Sequence, residues 1–171
     1  LNNEEMPTVT LSVGNASIDE GSGTTDTQVS ATLSAVSGQG VTVTLTKSGV
    51  AIDLIDYNLS STTISIPAGS SSGQVLLSAL PDTLDEDNES VVIDMDQVTN
   101  ATEFGGITGQ KQIVNIIDDD FPPTVTLSIQ NAGINEKDEQ PRSSLVTASL
   151  STVSGRDVTV NITAAGTAVR N

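Results

Sequence analysis

The sequence predicts an all-β protein: an immunoglobulin-like, seven-stranded antiparallel β-sandwich followed by a truncated second copy of itself. Three observations carry this. Apolar and polar residues alternate with period two in short runs, the pattern of strands with one buried face. Ser and Thr supply 43 of the 171 residues and the only aromatics are Tyr57, Phe104 and Phe121, so the chain is rich in small and β-branched side chains that are stiff at χ1 and suit a pleated sheet. Finally, the sequence repeats. Residues 7–20 and 123–136 are identical at 10 of 14 positions, and after a one-residue insertion 29–46 and 146–163 are identical at 11 of 18, a period of about 116 residues.

The elements follow in order. Val9, Leu11 and Val13 alternate with Thr8, Thr10 and Ser12 in the first strand. Val29, Ala31 and Leu33 mark the second, Val41, Val43 and Leu45 the third, Ile64 and Ile66 the fourth. Gln74 to Leu80 reads as the fifth, Ser90 to Val98 as the sixth with Val91, Ile93 and Met95 inward against Asp94 and Asp96, and Lys111 to Ile117 as the seventh. Turn signals fall at Ser37-Gly38, Ala68-Gly69 and Gly105-Gly106. Seven such strands suffice for one sandwich core. The expected organisation is a linker at 1–6, a complete unit at 7–120, a Pro-containing linker at 121–123, and the first three strands of a second copy at 124–171. The chain begins in mid-linker without a signal peptide and reads as an excised piece of a larger protein. Three strands alone leave an open apolar face and unpaired edges, so 124–171 is expected to take partners from a neighbouring molecule by strand exchange or dimerisation.

Charge narrows the function. Six Lys and Arg stand against 22 Asp and Glu, with no His and no Cys, for a net charge of −16. Imidazole bases, thiol nucleophiles, disulfides and zinc–thiolate sites are excluded. A sequence pI near 4.1 opposes binding to phosphate backbones, so no nucleic acid is expected. No apolar run reaches the roughly 18 to 20 residues of a membrane helix, so no direct membrane insertion is expected. Cations are the natural partners.

Strand direction then sorts the acids. If successive strands alternate in direction, the first–second, third–fourth and fifth–sixth connections and the end of the seventh strand share one end of the sandwich. Glu20, Asp56, Asp82, Asp85, Glu86, Asp87, Glu89, Asp118, Asp119 and Asp120 all fall there, against Glu103 alone in the opposite connections. Acid runs are ordinarily solvated surface; convergence of four segments is what favours a metal. Unit charges about 4 Å apart repel by on the order of 4 kcal/mol at an effective dielectric near 20, and 1–120 hold only Lys47 and Lys111 as counter-charges. Ca2+, which takes 6 to 8 oxygens in flexible geometry, suits ligands collected from several loops better than Mg2+ does.

These stretches resemble a Calx-beta domain, the calcium-binding module of sodium–calcium exchangers that also recurs in arrays within large bacterial surface proteins. The resemblance rests on Ile18-Asp19-Glu20-Gly21, Asp56-Tyr57, Ile66-Pro67-Ala68-Gly69, Leu84-Asp85-Glu86-Asp87-Asn88-Glu89-Ser90 and Ile116-Ile117-Asp118-Asp119-Asp120. It implies that calcium is held by Glu20, by Asp56 just before Tyr57, and by the acidic fifth–sixth loop. There it points to Asp82, the Glu86 carboxylate and a main-chain carbonyl near Leu84, with Asp85 and Glu89 as further candidates. The closing triplet maps onto Asp118, Asp119 and Asp120. Pro81-Asp82-Thr83 replaces the family's run of consecutive acids, so one to three ions are expected. The second copy keeps Glu136 but ends before an equivalent of Asp56, and a complete second site is not expected.

Two function classes follow. The favoured one is a calcium-rigidified structural repeat of a large extracellular or cell-surface, adhesin-like protein, with the ions at the joint where the acidic triplet runs into Phe121-Pro122-Pro123. The alternative is a calcium-sensing regulatory module of a membrane transporter or intracellular partner, placed in a cytosolic domain. Enzymatic activity is not expected: paired carboxylates without an aromatic sugar platform make a poor glycosidase. The Asn-x-Ser/Thr sequons read as chance in a Ser/Thr-rich chain. Gly105-Gly106-Ile107-Thr108-Gly109 reads as a turn, and Tyr57 as core packing rather than a ligand.

Overall fold

The computed structural model describes residues 5–106, 110–135 and 140–167. Its residues fall into two compact units, one of Leu1–Thr83 with Asp87–Asp119 and one of Leu84–Glu86 with Asp120–Asn171. Every regular element among the described residues is a strand.

The first unit contains β1 (Thr8–Val13), β2 (Ser17–Asp19), β3 (Asp26–Leu33), β4 (Val41–Gly49), β5 (Tyr57–Leu59), β6 (Thr63–Ile66), β7 (Ser72–Ala79), β8 (Glu89–Thr99), β9 (Thr102–Glu103) and β10 (Gln112–Ile117). They form two five-stranded sheets, ordered β5-β7-β3-β1-β9 and β2-β10-β8-β4-β6. Both contribute inward side chains to one core: Val9, Leu11, Val29, Ala31 and Leu77 from the first, Ile18, Val43, Ile64, Val91, Ile93 and Val114 from the second. The inward phases are those the alternation predicts. All-β, immunoglobulin-like sandwich architecture is therefore what the chain adopts.

The expected first strand is β1, and after it the chain crosses at Gly14 to the other sheet as β2, a further strand inside the expected first–second connection. The phase of burial records the crossing: Val9 and Leu11 are inward at odd positions, Ile18 at an even one. The expected fourth strand is β6, with Ile64 and Ile66 buried, and ahead of it the expected third–fourth connection holds a further strand, β5, on the other sheet, with Tyr57 and Leu59 buried. A third slip occurs inside β8. Thr44 pairs with Gln97 but Leu45 with Met95, leaving Asp96 unopposed in a bulge. The extra residue turns Val98 back onto the core, where it packs after Met95. At the far end of β4, the Val50 and Ala51 amides both donate to Ser90 O at 3.0 and 3.2 Å. Gly49 sits at φ 124°, and a Cβ there would lie 2.1 Å from that oxygen.

The ladders fix direction. β1 is antiparallel to β3 and β3 to β7, while β10 runs parallel to β2 and antiparallel to β8, which is antiparallel to β4. The 20–25 turn, the 50–56 loop, the β7–β8 connection and the residues after β10 therefore share one end. Gln110 secures the opposite end. It is 9% exposed; its Oε1 accepts from Leu11 N at 2.8 Å, and its Nε2 donates to Val9 O at 2.9 Å and Phe104 O at 2.8 Å.

In the second unit, β11 (Val125–Ile129) and β12 (Val146–Leu150) form an antiparallel hairpin. Its register repeats the first unit's: Val9 opposite Leu33 becomes Val125 opposite Leu150, and Val13 opposite Val29 becomes Ile129 opposite Val146. The end bonds recur as well. Thr8 N donates to Ser34 Oγ at 2.9 Å and Thr124 N to Ser151 Oγ at 3.0 Å. The expected third strand of this copy does not form: residues 158–162 carry no ladder. In the first unit the matching strand β4 is flanked by β6 and β8, and among the described residues of 120–171 β11 and β12 are the only strands.

Candidate metal site

The 20–25 turn is built by Asp19, whose amide donates to Thr24 O at 2.7 Å while its Oδ2 accepts from Thr24 N at 2.9 Å. Beyond it Glu20 donates its amide to Ile117 O at 3.0 Å, extending the parallel β2–β10 pairing. That ladder brings Glu20, only 7% exposed, alongside the start of the acidic triplet. Asp119 turns back onto the same turn. Its Oδ2 accepts from Ser22 Oγ at 2.7 Å, and a Cβ on Gly21 would lie 2.8 Å from its Oδ1. The Asp118 amide donates to Asn88 Oδ1 at 3.1 Å, tying the end of β10 to the start of β8. The Glu89 Oε2 and Asp118 Oδ1 atoms are both buried.

Asp56 is held in its own loop. Its Oδ2 accepts from Ile52 N at 2.5 Å and its amide donates to Ile52 O at 2.9 Å. Leu80 N donates to Asp56 O at 2.9 Å, which anchors the start of the acidic connection beside it. Asp53 was absent from the sequence-derived set, although its place three residues before Asp56 marks it. It pairs with Lys47 Nζ at 2.5 Å, so the loop is not wholly without a counter-charge as the sequence suggested. Tyr57 is buried in the core as expected, and its hydroxyl pKa is raised by burial, then by Asp53 and Asp56. Asp82 is exposed.

Leu84, Asp85, Glu86 and Asp120 belong to the second unit. There Asp85 is 5% exposed and its carboxylate is engaged on both oxygens. Oδ1 accepts from Arg156 Nη2 at 2.8 Å and Oδ2 from Ser154 Oγ at 3.2 Å. Gly155 N donates to Asp85 O at 3.1 Å, and Arg156 also donates to Glu86 O. Glu136 lies outside the described residues.

Thus Glu20, Glu89, Asp118 and Asp119 stand at the adjoining ends of β2, β10 and β8, Asp56 is tied to its own loop, and Asp85 is turned to an arginine. Among the described residues no three acidic side chains are gathered as a ligand set for one ion. The donor chemistry nonetheless fits a hard cation, since the donors are all oxygens.

Comparison with solved structures bears on the fold. The fold is the sandwich of the Calx calcium-binding domains. It matches the apo-form Calx CBD1 domain with a TM-score of 0.54 and 16% identity over 66% of this chain and 99% of that one. CBD12 from CALX1.2 matches with a TM-score of 0.54 and 17% identity over 66% and 44%. Calcium binding domain CBD12 of CALX1.1 matches with a TM-score of 0.54 and 15% identity over 70% and 49%. The match thus spans about half the length of the CBD12 structures. No family model matches the sequence, and no curated protein matches it.

Proposed function

We propose that this chain is a calcium-binding repeat. The observation that carries the reading is the shared end of the first unit, where the ladder directions and the Ser22–Asp119 and Asn88–Asp118 bonds gather acidic loops from distant sequence. The proposed ligands in that unit are Glu20, Asp56, Asp82, Glu89, Asp118 and Asp119. Leu84, Asp85, Glu86 and Asp120 are the further residues that the Calx-beta resemblance assigns. One to three Ca2+ ions would be held by these oxygens, pinning the turns that carry them.

The setting we propose is a multi-repeat extracellular or cell-surface protein of adhesin type. Near-identical tandem sequence and the run from Asp118-Asp119-Asp120 into Pro122-Pro123 support it, since calcium on the triplet would stiffen a linker already restricted by proline. The calcium binding domain CBD12 of CALX1.1 among the fold neighbours supports the alternative, a calcium sensor attached to a transporter. We further propose that the open β11–β12 hairpin takes a second copy of the chain as partner. Light scattering of the whole chain tests this, a monomer at all concentrations refuting it.

Calcium calorimetry on the whole chain, with melts in Ca2+, Mg2+ and EDTA, tests the reading. Saturable binding is expected, with stabilisation of about 2.7 kcal/mol at a hundredfold excess over Kd, selective for Ca2+ and lost in Glu20→Gln/Asp119→Asn. Absence of both binding and stabilisation would return the acids to plain surface. A Kd of about 10⁻⁴ to 10⁻³ M favours the extracellular repeat, and about 10⁻⁷ to 10⁻⁵ M the sensor.

A further inference from the structure

Between β4 and β5 the chain turns four aliphatic side chains to solvent. Val50, Ile52, Leu54 and Ile55 are 56% to 70% exposed, while Ala51 and Tyr57 beside them enter the core. A lone exposed aliphatic is ordinary, but four within six residues form a patch of the kind that marks an interaction surface. The loop is also firmly held. Val50 N and Ala51 N donate to Ser90 O, Ile55 N and Asp56 N donate to Ile52 O at 3.1 and 2.9 Å, and Leu54 N donates to Tyr57 O at 2.8 Å. Ile52 N donates to Asp56 Oδ2, and the Lys47–Asp53 pair ties the loop back to β4. Leu54 is fixed at φ 65°, in the left-handed region that asparagine or glycine enters more readily. A polar residue there would suit both backbone and solvent, so a strained, exposed leucine points to a contact.

Charge selects the partner. Residues 1–120 hold two lysines. Lys47 is taken by Asp53, and Lys111 stands just before β10, at the end of the unit away from this loop. Asp53 and Asp56 lie in the loop itself, and the bond from Leu80 N to Asp56 O brings the chain that carries Asp82 beside it. A second copy of the chain, at net charge −16, would set acids against acids here, and an anionic lipid surface is opposed in the same way. We propose that the 50–56 loop is a docking knob for a basic amphipathic segment of a partner protein, an aliphatic stripe flanked by Lys or Arg. The stripe seats on Ile52, Leu54 and Ile55, and the flanking cations face Asp53, Asp56 and Asp82. Because the loop is already ordered, binding costs little further conformational entropy on this side. The inference goes beyond the calcium reading and does not depend on it.

The test is fluorescence anisotropy of a labelled helical peptide of leucine and lysine, with all its leucines on one face, titrated with the whole chain in EDTA. Saturable binding is expected, weakened but not abolished by added salt, and about tenfold weaker or more in Ile52→Ser/Leu54→Asn. Both positions are exposed and asparagine tolerates the left-handed backbone, so the variant is expected to melt with the parent. A peptide of the same composition with its leucines scattered is expected to bind the parent about tenfold less tightly. Equal binding of parent and variant, or of the two peptides, overturns the proposal, since charge alone would then hold the peptide. Neutral phosphatidylcholine vesicles that bind the parent but not the variant would assign the loop to lipid, and a dimer lost in the variant would assign it to a second copy. Either outcome also overturns it. With EDTA present throughout, a failure of calcium binding elsewhere leaves this result untouched.

Discussion

Ser22 Oγ donates to Asp119 Oδ2 at 2.7 Å, joining two residues 97 positions apart at the end of the first unit where the acidic loops gather. The contact depends on Gly21, whose missing side chain leaves room for the carboxylate.

Gly21→Ala places a methyl 2.8 Å from Asp119 Oδ1. Asp119 is exposed, so its carboxylate swings away and the change in unfolding free energy stays within about 0.5 kcal/mol. Calcium affinity is expected to fall severalfold. Denaturant melts in EDTA and calcium calorimetry on the same preparation separate the two effects.

Leu11 and Leu127 occupy the same register in the two hairpins, opposite Ala31 and Ala148, yet Leu11 is 2% exposed and Leu127 51%. Leu11→Ala is expected to cost about 2 to 5 kcal/mol in chemical denaturation, and Leu127→Ala less than about 0.5 kcal/mol.

Gly49→Ala forces a Cβ against Ser90 O at a positive φ. A loss of about 3 kcal/mol or more is expected, read as a lower melting temperature that calcium does not restore.

Glu103 has a pKa raised by burial, then by Asp94. A carboxyl raised in the folded state favours the protonated form there, so its contribution to stability is present at low pH. It is lost as pH rises from the ordinary value near 4.5 through the raised folded value. Glu103→Gln removes that loss. Melting curves across pH 4 to 7 should show the variant gaining on the parent as pH increases, and parallel curves would contradict the argument.

Much of the fold was legible because Val, Leu and Ile mark the inward face at every second residue. The sheet crossings were less so. A period-two pattern describes a strand, and each crossing appears only as a slip of phase, at Leu11 to Ile18 and at Leu59 to Ile64, as does the bulge within β8 at Met95 to Val98. Strand direction did put the 20–25 turn, the 50–56 loop and the end of β10 on one side of the first unit, since parity needs only the count of reversals. Side-chain partners escaped the sequence because they are distant or local in ways no pattern shows. Asp56 spends its carboxylate on its own loop, Asp53 has Lys47, and Asp85 meets an arginine 71 residues away.

The matched registers of the two hairpins bear on how such a chain avoids misfolding. Side-chain chemistry hardly distinguishes β12 from β3 as a mate for β1, because the facing residues and the end bonds to Ser34 and Ser151 are nearly interchangeable. Distance along the chain does distinguish them. Val9 is 24 positions from Leu33 and 141 from Leu150, and closing the longer loop costs about 1.6 kcal/mol more in chain entropy. In a protein of near-identical repeats, correct pairing is thus a matter of which partner arrives first, and the interval between sister strands becomes a safeguard against crossed repeats.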